Sequence, residues 1–118
     1  MANRFFLAVD IGTESSRAAL VREDGRLVGS CASEYPLYCP GPGWAEQEPI
    51  TWWESTVENI RRVLEETRID SKSIVSVGCC GQMHAPIPID GKGRVLRPRV
   101  PIWCDKRSDS LCRTLKRS

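Results

Sequence analysis

Residues 7–20, LAVDIGTESSRAAL, constrain this chain more than any other stretch. An apolar run stops on an acid, Asp10, a glycine and three hydroxyl residues follow, and the chain then turns apolar again. RFFLAVD (residues 4–10) is a continuous apolar run of strand length and reads as a buried strand. SRAALVRE (residues 16–23) is a second strand candidate. Asp24-Gly25 then marks a tight hairpin turn, and RLVGSCASE (residues 26–34) is the third strand. An antiparallel three-stranded meander is therefore expected at the start of the chain.

With 118 residues the chain has one domain's worth of sequence. Seventeen basic residues against fifteen acidic give a formal charge of +2, too weak to argue for nucleic acid. The locally basic run of Lys106, Arg107, Arg113, Lys116 and Arg117 reads as a solvated helix face. Six cysteines form no C-x-x-C pair, and with a single histidine they supply a poor zinc site. Reduced, mostly buried thiols in a cytoplasmic protein are the expectation, because the chain enters a strand-like segment with no signal peptide before it. No apolar stretch approaches the ~20 residues of a membrane span, so no membrane association is expected.

YPLYCPGPGWAEQEP (residues 35–49) carries four prolines and two glycines with the look of an extended surface connection. The clearest helix covers about residues 50–67, where Ile50, Trp53, Val57, Ile60 and Leu64 share one face and Trp52 lies beside it. Thr51 and Glu54 have capping-box spacing, and Pro49 suits a first helical turn. SIVSVGCCGQ (residues 73–82) reads as another buried strand, ending near the polar pair Gln82 and His84. A hairpin around residues 90–93 follows, its prolines confining the strands to edge positions, and a helix begins near Lys106. The order β-β-β-α-β, with an extra hairpin, predicts a single mixed α/β domain over residues 1–118.

A lone carboxylate at a strand tip is costly unless something pairs with it, and Mg²⁺ held through one carboxylate and waters is a natural partner for Asp10. Gly12 permits close backbone approach, Thr13, Ser15 and Ser16 offer short donors to phosphate oxygens, and Arg17 offers fixed positive charge. The combination suits a β-hairpin phosphate clamp, and the Walker pattern is absent. The alternative is a polar β-turn in which Asp10 merely hydrogen-bonds the turn.

DIGTESSRAAL resembles the first phosphate motif of the sugar kinase, Hsp70 and actin superfamily, and within it the FGGY carbohydrate kinases. GWAEQEPITWW, VGCCGQMHAPIPID and VLRPRVPIWCDKRSD extend the resemblance over essentially the whole chain, and G-Q-M-H with W-x-D-x-R looks most like the xylulokinase branch. The resemblance implies an incomplete N-terminal domain of ribonuclease H-like fold. It implies an ATP- and Mg²⁺-dependent kinase for a ketopentose, D-xylulose above others, with a homodimer for the parent enzyme. By the same resemblance, Asp10 sits near Mg²⁺, and Gly12, Thr13, Ser15 and Arg17 near the ATP phosphates. Gln82, Met83 and His84 contact the sugar, and Trp103, Asp105 and Arg107 border its pocket.

Each assignment has a plainer counterpart. His84 is otherwise a structural histidine, Trp103 a core residue, Met83 a gap filler, Asp105 with Arg107 a solvent-facing ion pair, and the Trp52–Trp53 pair packing. The family's catalytic base, adenine site and second phosphate motif are expected beyond residue 118, so no residue here is assigned as the base and the 118 residues alone are expected to be inactive. Two further readings stand beside the kinase one: a non-catalytic remnant or binding module, and a kinase for ribulose, erythritol or sedoheptulose. Glycerol ranks lower, because glycerol kinases share the T-x-S-S-R turn but lack this Q-M-H.

Overall fold

A computed structural model describes residues 4–116, so Arg117 of the basic run lies outside the described residues. In chain order the elements are β1 (Phe5–Ile11), β2 (Ser15–Arg22), β3 (Leu27–Glu34), β4 (Glu46–Gln47), α1 (Pro49–Thr67), β5 (Ile74–Gly81), β6 (Val100–Pro101) and α2 (Asp109–Leu115). They gather into two compact units. One takes the described part of Met1–Tyr35 with Ile50–Gln82, and the other takes Pro36–Pro49 with the described part of Met83–Ser118.

The first unit is the expected β-β-β-α-β arrangement. Its sheet runs β3-β2-β1-β5, with β1 antiparallel to β2, β2 antiparallel to β3, and β5 parallel to β1. The return from β3 to β5 passes through α1, the crossover that a parallel neighbour requires. Burial alternates along β1, with Phe5, Leu7 and Val9 buried and Phe6, Ala8 and Asp10 exposed, as a strand covered on one face must show. Leu7, Val9, Ala18, Leu20, Cys31 and Val63 form the core, flanked by Ile11, Ile60, Leu64, Ile69 and Ile74. α1 lies so close to β3 that a Cβ on Gly29 would stand 2.5 Å from Thr67 Cγ2, so any larger residue there forces the Thr67 side chain to move.

The inward face of α1 differs from the apolar stripe expected of it. Trp52, Thr56, Asn59 and Val63 are buried, whereas Trp53 is 68% exposed and Ile50 54%. The buried face is shifted toward the preceding residue at each step, so Ile60 and Leu64 pack at the core's margin while Trp53 and Ile50 lie outside it. Polar pairing explains the shift. Asn59 Nδ2 donates to Ser16 O at 3.1 Å and Ser16 Oγ at 2.9 Å, and Ser33 Oγ donates to Asn59 Oδ1 at 2.8 Å. Ser16 Oγ in turn donates to Ser55 Oγ at 2.8 Å. Serines of β2 and β3 thus find partners on α1, and buried polar groups demand such partners more strictly than Trp53 demands cover.

Two further expectations are corrected. Among the described residues β5, like β3, is an outer strand of the sheet, and it is exposed along nearly all its length, not buried. Its apolar sequence reads like a doubly covered strand, yet the hydrogen bonds of α1 given above run to β2 and β3. The thiols are free but not mostly buried: Cys31 alone is buried, Cys104 is half-buried, and Cys39 and Cys112 are exposed along with Cys79 and Cys80 of β5.

In the second unit, the segment read as an extended surface connection contains a strand. β4 pairs antiparallel with β6, and Ala45, Glu46 and Gln47 are buried. The expected hairpin shrinks to one Ile89–Val95 bridge around a turn capped by Asp90, whose Oδ1 accepts from Lys92 N at 2.8 Å and Arg94 N at 2.9 Å. Prolines 86, 88 and 98 remove the donors that longer strands would need. α2 starts at Asp109, three residues later than expected, and among the described residues no helix is long and apolar enough to cross a membrane.

Leu20→Ala, at a fully buried position, should cost about 2–5 kcal/mol in urea unfolding, whereas Trp53→Ala should stay within about 0.5 kcal/mol of the parent chain. Equal losses would mean that α1 packs by its other face.

Candidate functional site

The C-terminal ends of β1 and β5 lie side by side. Asp10 pairs in register with Cys80, and Ile11 with Gly81, while Asp10 faces Arg17 across the antiparallel β1–β2 pair. Gln82 N donates to Ile11 O at 2.8 Å, so Gln82 leaves β5 directly beside the turn that follows β1. The approach is close: a Cβ on Gly81 would lie 2.9 Å from Ile11 O, so this position too calls for glycine. Asp10, Gly12, Thr13, Ser15, Arg17 and Gln82 are thereby brought to one end of one sheet.

The turn is closed without Asp10. Gly12 N donates to Ser15 O at 2.9 Å, and the Tyr35 hydroxyl donates to Gly12 O and, at 3.0 Å, to Ser15 O. Burial, reinforced by the Asp10 charge, pushes the Tyr35 phenol up to about 12, which keeps it a protonated donor at neutral pH. Asp10 itself is exposed and accepts from the Cys80 thiol, Sγ to Oδ1 3.4 Å, and that hydrogen bond pushes the thiol up. The polar-turn reading of Asp10 gains nothing from this geometry, because the turn's own bonds are supplied by its backbone and by Tyr35. Among the described residues no three His, Cys, Asp or Glu side chains gather as a metal cluster. A single solvent-facing carboxylate beside hydroxyls nevertheless suits Mg²⁺, which commonly takes one or two carboxylates and keeps waters or phosphates for the rest.

The second unit holds an ionic cluster. Arg107 makes a bidentate contact with Asp105, Nε to Oδ1 2.9 Å and Nη2 to Oδ2 2.8 Å, and its Nη2 reaches Glu46 Oε1 at 2.7 Å. Ala45 N donates to Asp105 Oδ2 at 2.7 Å, and the guanidinium lies 3.9 Å from the centre of the Trp44 ring. The Asp105 side chain is only 5% exposed, which excludes a solvent-facing ion pair. The Arg107 hydrogen bond holds its carboxyl down at about 2. Trp44 and Glu46 were not singled out from sequence, although both stand in the GWAEQEP stretch. Their partners lie about 60 residues away along the chain, a distance that local patterning does not bridge.

Met83 (66% exposed) and Trp103 (57%) are neither gap filler nor core. His84 is exposed and adopts φ +60°, the left-handed region that costs a non-glycine residue about 1–2 kcal/mol. Met83 and His84 follow Gln82 directly in the chain.

The sequence profile of the FGGY family of carbohydrate kinases, N-terminal domain, matches residues 5–118. The chain belongs to that family. A glycerol kinase of Marinomonas sp. is 37% identical over 94% of this chain, and a xylulose kinase of Staphylococcus epidermidis is 29% identical over 98% of it. A solved structure titled as a xyloylose kinase from Brucella ovis superposes with a TM-score of 0.87 at 32% identity, covering 95% of this chain and 23% of that one. The chain spans about a fifth of the length of the curated relatives it matches. Its β-β-β-α-β unit is the ribonuclease H-like fold of FGGY sugar kinases, as expected. Glycerol and xylulose kinases both stand among the relatives, so likeness establishes the family and leaves the acceptor open, and it lends no support to placing glycerol low.

Because the Asp105 carboxyl sits near 2 when folded against an ordinary value of 3.8, its stabilising contribution should be complete above about pH 4 and vanish as pH falls toward 2. Tryptophan fluorescence during acid titration reports this, and Asp105→Ala should remove that acid-dependent step. His84→Gly should melt higher than His84→Ala, by about 1 kcal/mol in stability, since only the backbone strain separates the two.

Proposed function

We propose that this chain is the N-terminal portion of an ATP-dependent kinase that phosphorylates a ketopentose, D-xylulose to D-xylulose 5-phosphate. The observation that carries the reading is the meeting of two strand ends: Asp10, Gly12, Thr13, Ser15 and Arg17 after β1 stand beside Gln82 after β5. Phosphoryl transfer consists largely of positioning two substrates and stabilising spread charge, and this sheet end offers groups suited to each. The backbone and hydroxyls of Gly12, Thr13 and Ser15 bind ATP phosphate oxygens, and Arg17 adds positive charge. Asp10 holds Mg²⁺, directly or through water, and the ion when bound neutralises phosphate charge. Gln82, Met83 and His84 bind the acceptor, and Trp103, Asp105 and Arg107 serve it as the W-x-D-x-R resemblance implies. Amide and imidazole groups supply both donors and acceptors to the sugar hydroxyls, so a wrong hydroxyl geometry leaves polar groups unpaired.

Glycerol is the second reading, favoured by the glycerol kinases among the relatives, 37% identical in one case. Xylulose is preferred because Gln82-Met83-His84 follows the xylulokinase-like pattern and three structural neighbours at 26–32% identity are named xylulose or xyloylose kinases.

Tryptophan fluorescence of the chain should change on titration with D-xylulose, and His84→Ala should abolish that change. A response to glycerol with silence to D-xylulose would replace the acceptor, while ribulose, erythritol and sedoheptulose test the neighbouring specificities. Mg·ATP binding, followed by NMR, should weaken at least about tenfold in Asp10→Asn, as removal of a charge-mediated contact requires. Spanning a fifth of its relatives' length, the chain by itself should release no ADP from ATP and D-xylulose.

A further inference from the structure

Tyr35 is buried, at 8% exposure, and all its hydrogen bonds described above run to the β1–β2 turn. Its hydroxyl donates to the carbonyl oxygens of Gly12 and Ser15, and its backbone N–H donates to Glu14 O at 3.1 Å. Three of the four carbonyls from Gly12 to Ser15 are therefore drawn toward one residue. A trans peptide is planar, so a carbonyl directed one way sends the next residue's N–H the opposite way. Anchoring Gly12 O and Glu14 O at Tyr35 aims the N–H groups of Thr13 and Ser15 away from it, which offers two backbone donors on the side of the turn opposite Tyr35. Removing the hydroxyl would free the Gly12 carbonyl to rotate while the aromatic ring could keep its packing.

From this geometry we propose that Tyr35 is a positioning residue for phosphate binding: its hydroxyl clasps the Gly12–Ser15 turn from behind and fixes the amides of the turn toward the nucleotide phosphates. The proposal rests on reading this turn as the phosphate site. It assigns a role to a residue in neither the phosphate motif nor the sugar-binding segments, reached from the far end of β3.

The test is Tyr35→Phe in the 118-residue chain, which preserves the ring and deletes the clasp. Mg·ATP affinity, followed by NMR, should fall about tenfold, the scale of one well-placed hydrogen bond, and the D-xylulose fluorescence response should stay as in the parent chain. With Mg·ATP bound, amide exchange at Thr13 and Ser15 should be faster in Tyr35→Phe than in the parent chain while β3 amides keep their protection, a change that a general loss of stability would not confine to the turn. Parent-like Mg·ATP affinity in Tyr35→Phe overturns the clasp and leaves the phosphate reading standing. Failure of the parent chain to bind Mg·ATP overturns the phosphate reading itself and the positioning role with it. If Tyr35→Phe does not fold, 3-fluorotyrosine at position 35 decides: its ¹⁹F resonance, assigned with Tyr38→Phe, should move when Mg·ATP binds. A stationary resonance under saturating Mg·ATP overturns the proposal.

Discussion

The one-sided burial of β1 is the constraint from which the rest of the first unit follows. Phe5, Leu7 and Val9 must face the core, and a period of two then leaves Asp10 on the open face at the strand's end. A slip of one residue would carry the carboxylate inward and put the apolar side chains in water, so the register is held strongly. The same register sets Arg17 opposite Asp10 on β2 and Cys80 beside it on β5, and the Ile11 carbonyl then receives the Gln82 amide. The sheet end suited to phosphates and the strand end leading to Gln82-Met83-His84 adjoin because a single strand pairs with both neighbours.

Polar contacts do the fine positioning. Ser16, Ser33, Ser55 and Asn59 form one connected set between the sheet and α1, and that set places Asn59 at the centre of the buried face with Ile60 and Leu64 at its margin. A buried amide accepts few alternative placements, since each displaced donor or acceptor would be left unmade. Trp53 is left in solvent as a result. Tyr35 acts on the turn in a similar way, its hydrogen bonds ending on backbone carbonyls, so turn shape and sheet are joined by a side chain outside the phosphate motif.

The second unit is organised by charge more than by apolar burial. Its sheet has two strands of two residues each, and Arg107 binds Asp105 and Glu46 while lying on the Trp44 ring. A planar guanidinium can serve two carboxylates and an aromatic face together, which a lysine cannot. Arg99 repeats the device, 3.5 Å from the centre of the Tyr38 ring and 3.1 Å from Glu48 Oε1. Such clusters gain more in defined geometry than in stability, because removing charges from water offsets much of their attraction.

What the sequence determined by itself was local. Alternating and continuous apolar runs, the Asp24-Gly25 turn and the long amphipathic segment marked out β1, β2, β3, α1 and β5, and D-I-G-T-E-S-S-R with G-Q-M-H pointed to the carbohydrate kinases. Tertiary structure decided which face of α1 is buried, because hydrogen bonds between Asn59 and serines 26 and 43 residues away outweighed apolar periodicity. It also decided that β5 is an outer strand with exposed thiols, which an apolar run cannot reveal, since covered and uncovered strands can be spelled alike. The parts played by Glu46, Trp44 and Tyr35 came from the same source. Their partners are distant in sequence, and only a folded chain brings a carboxylate to its guanidinium or a phenol to the back of a turn.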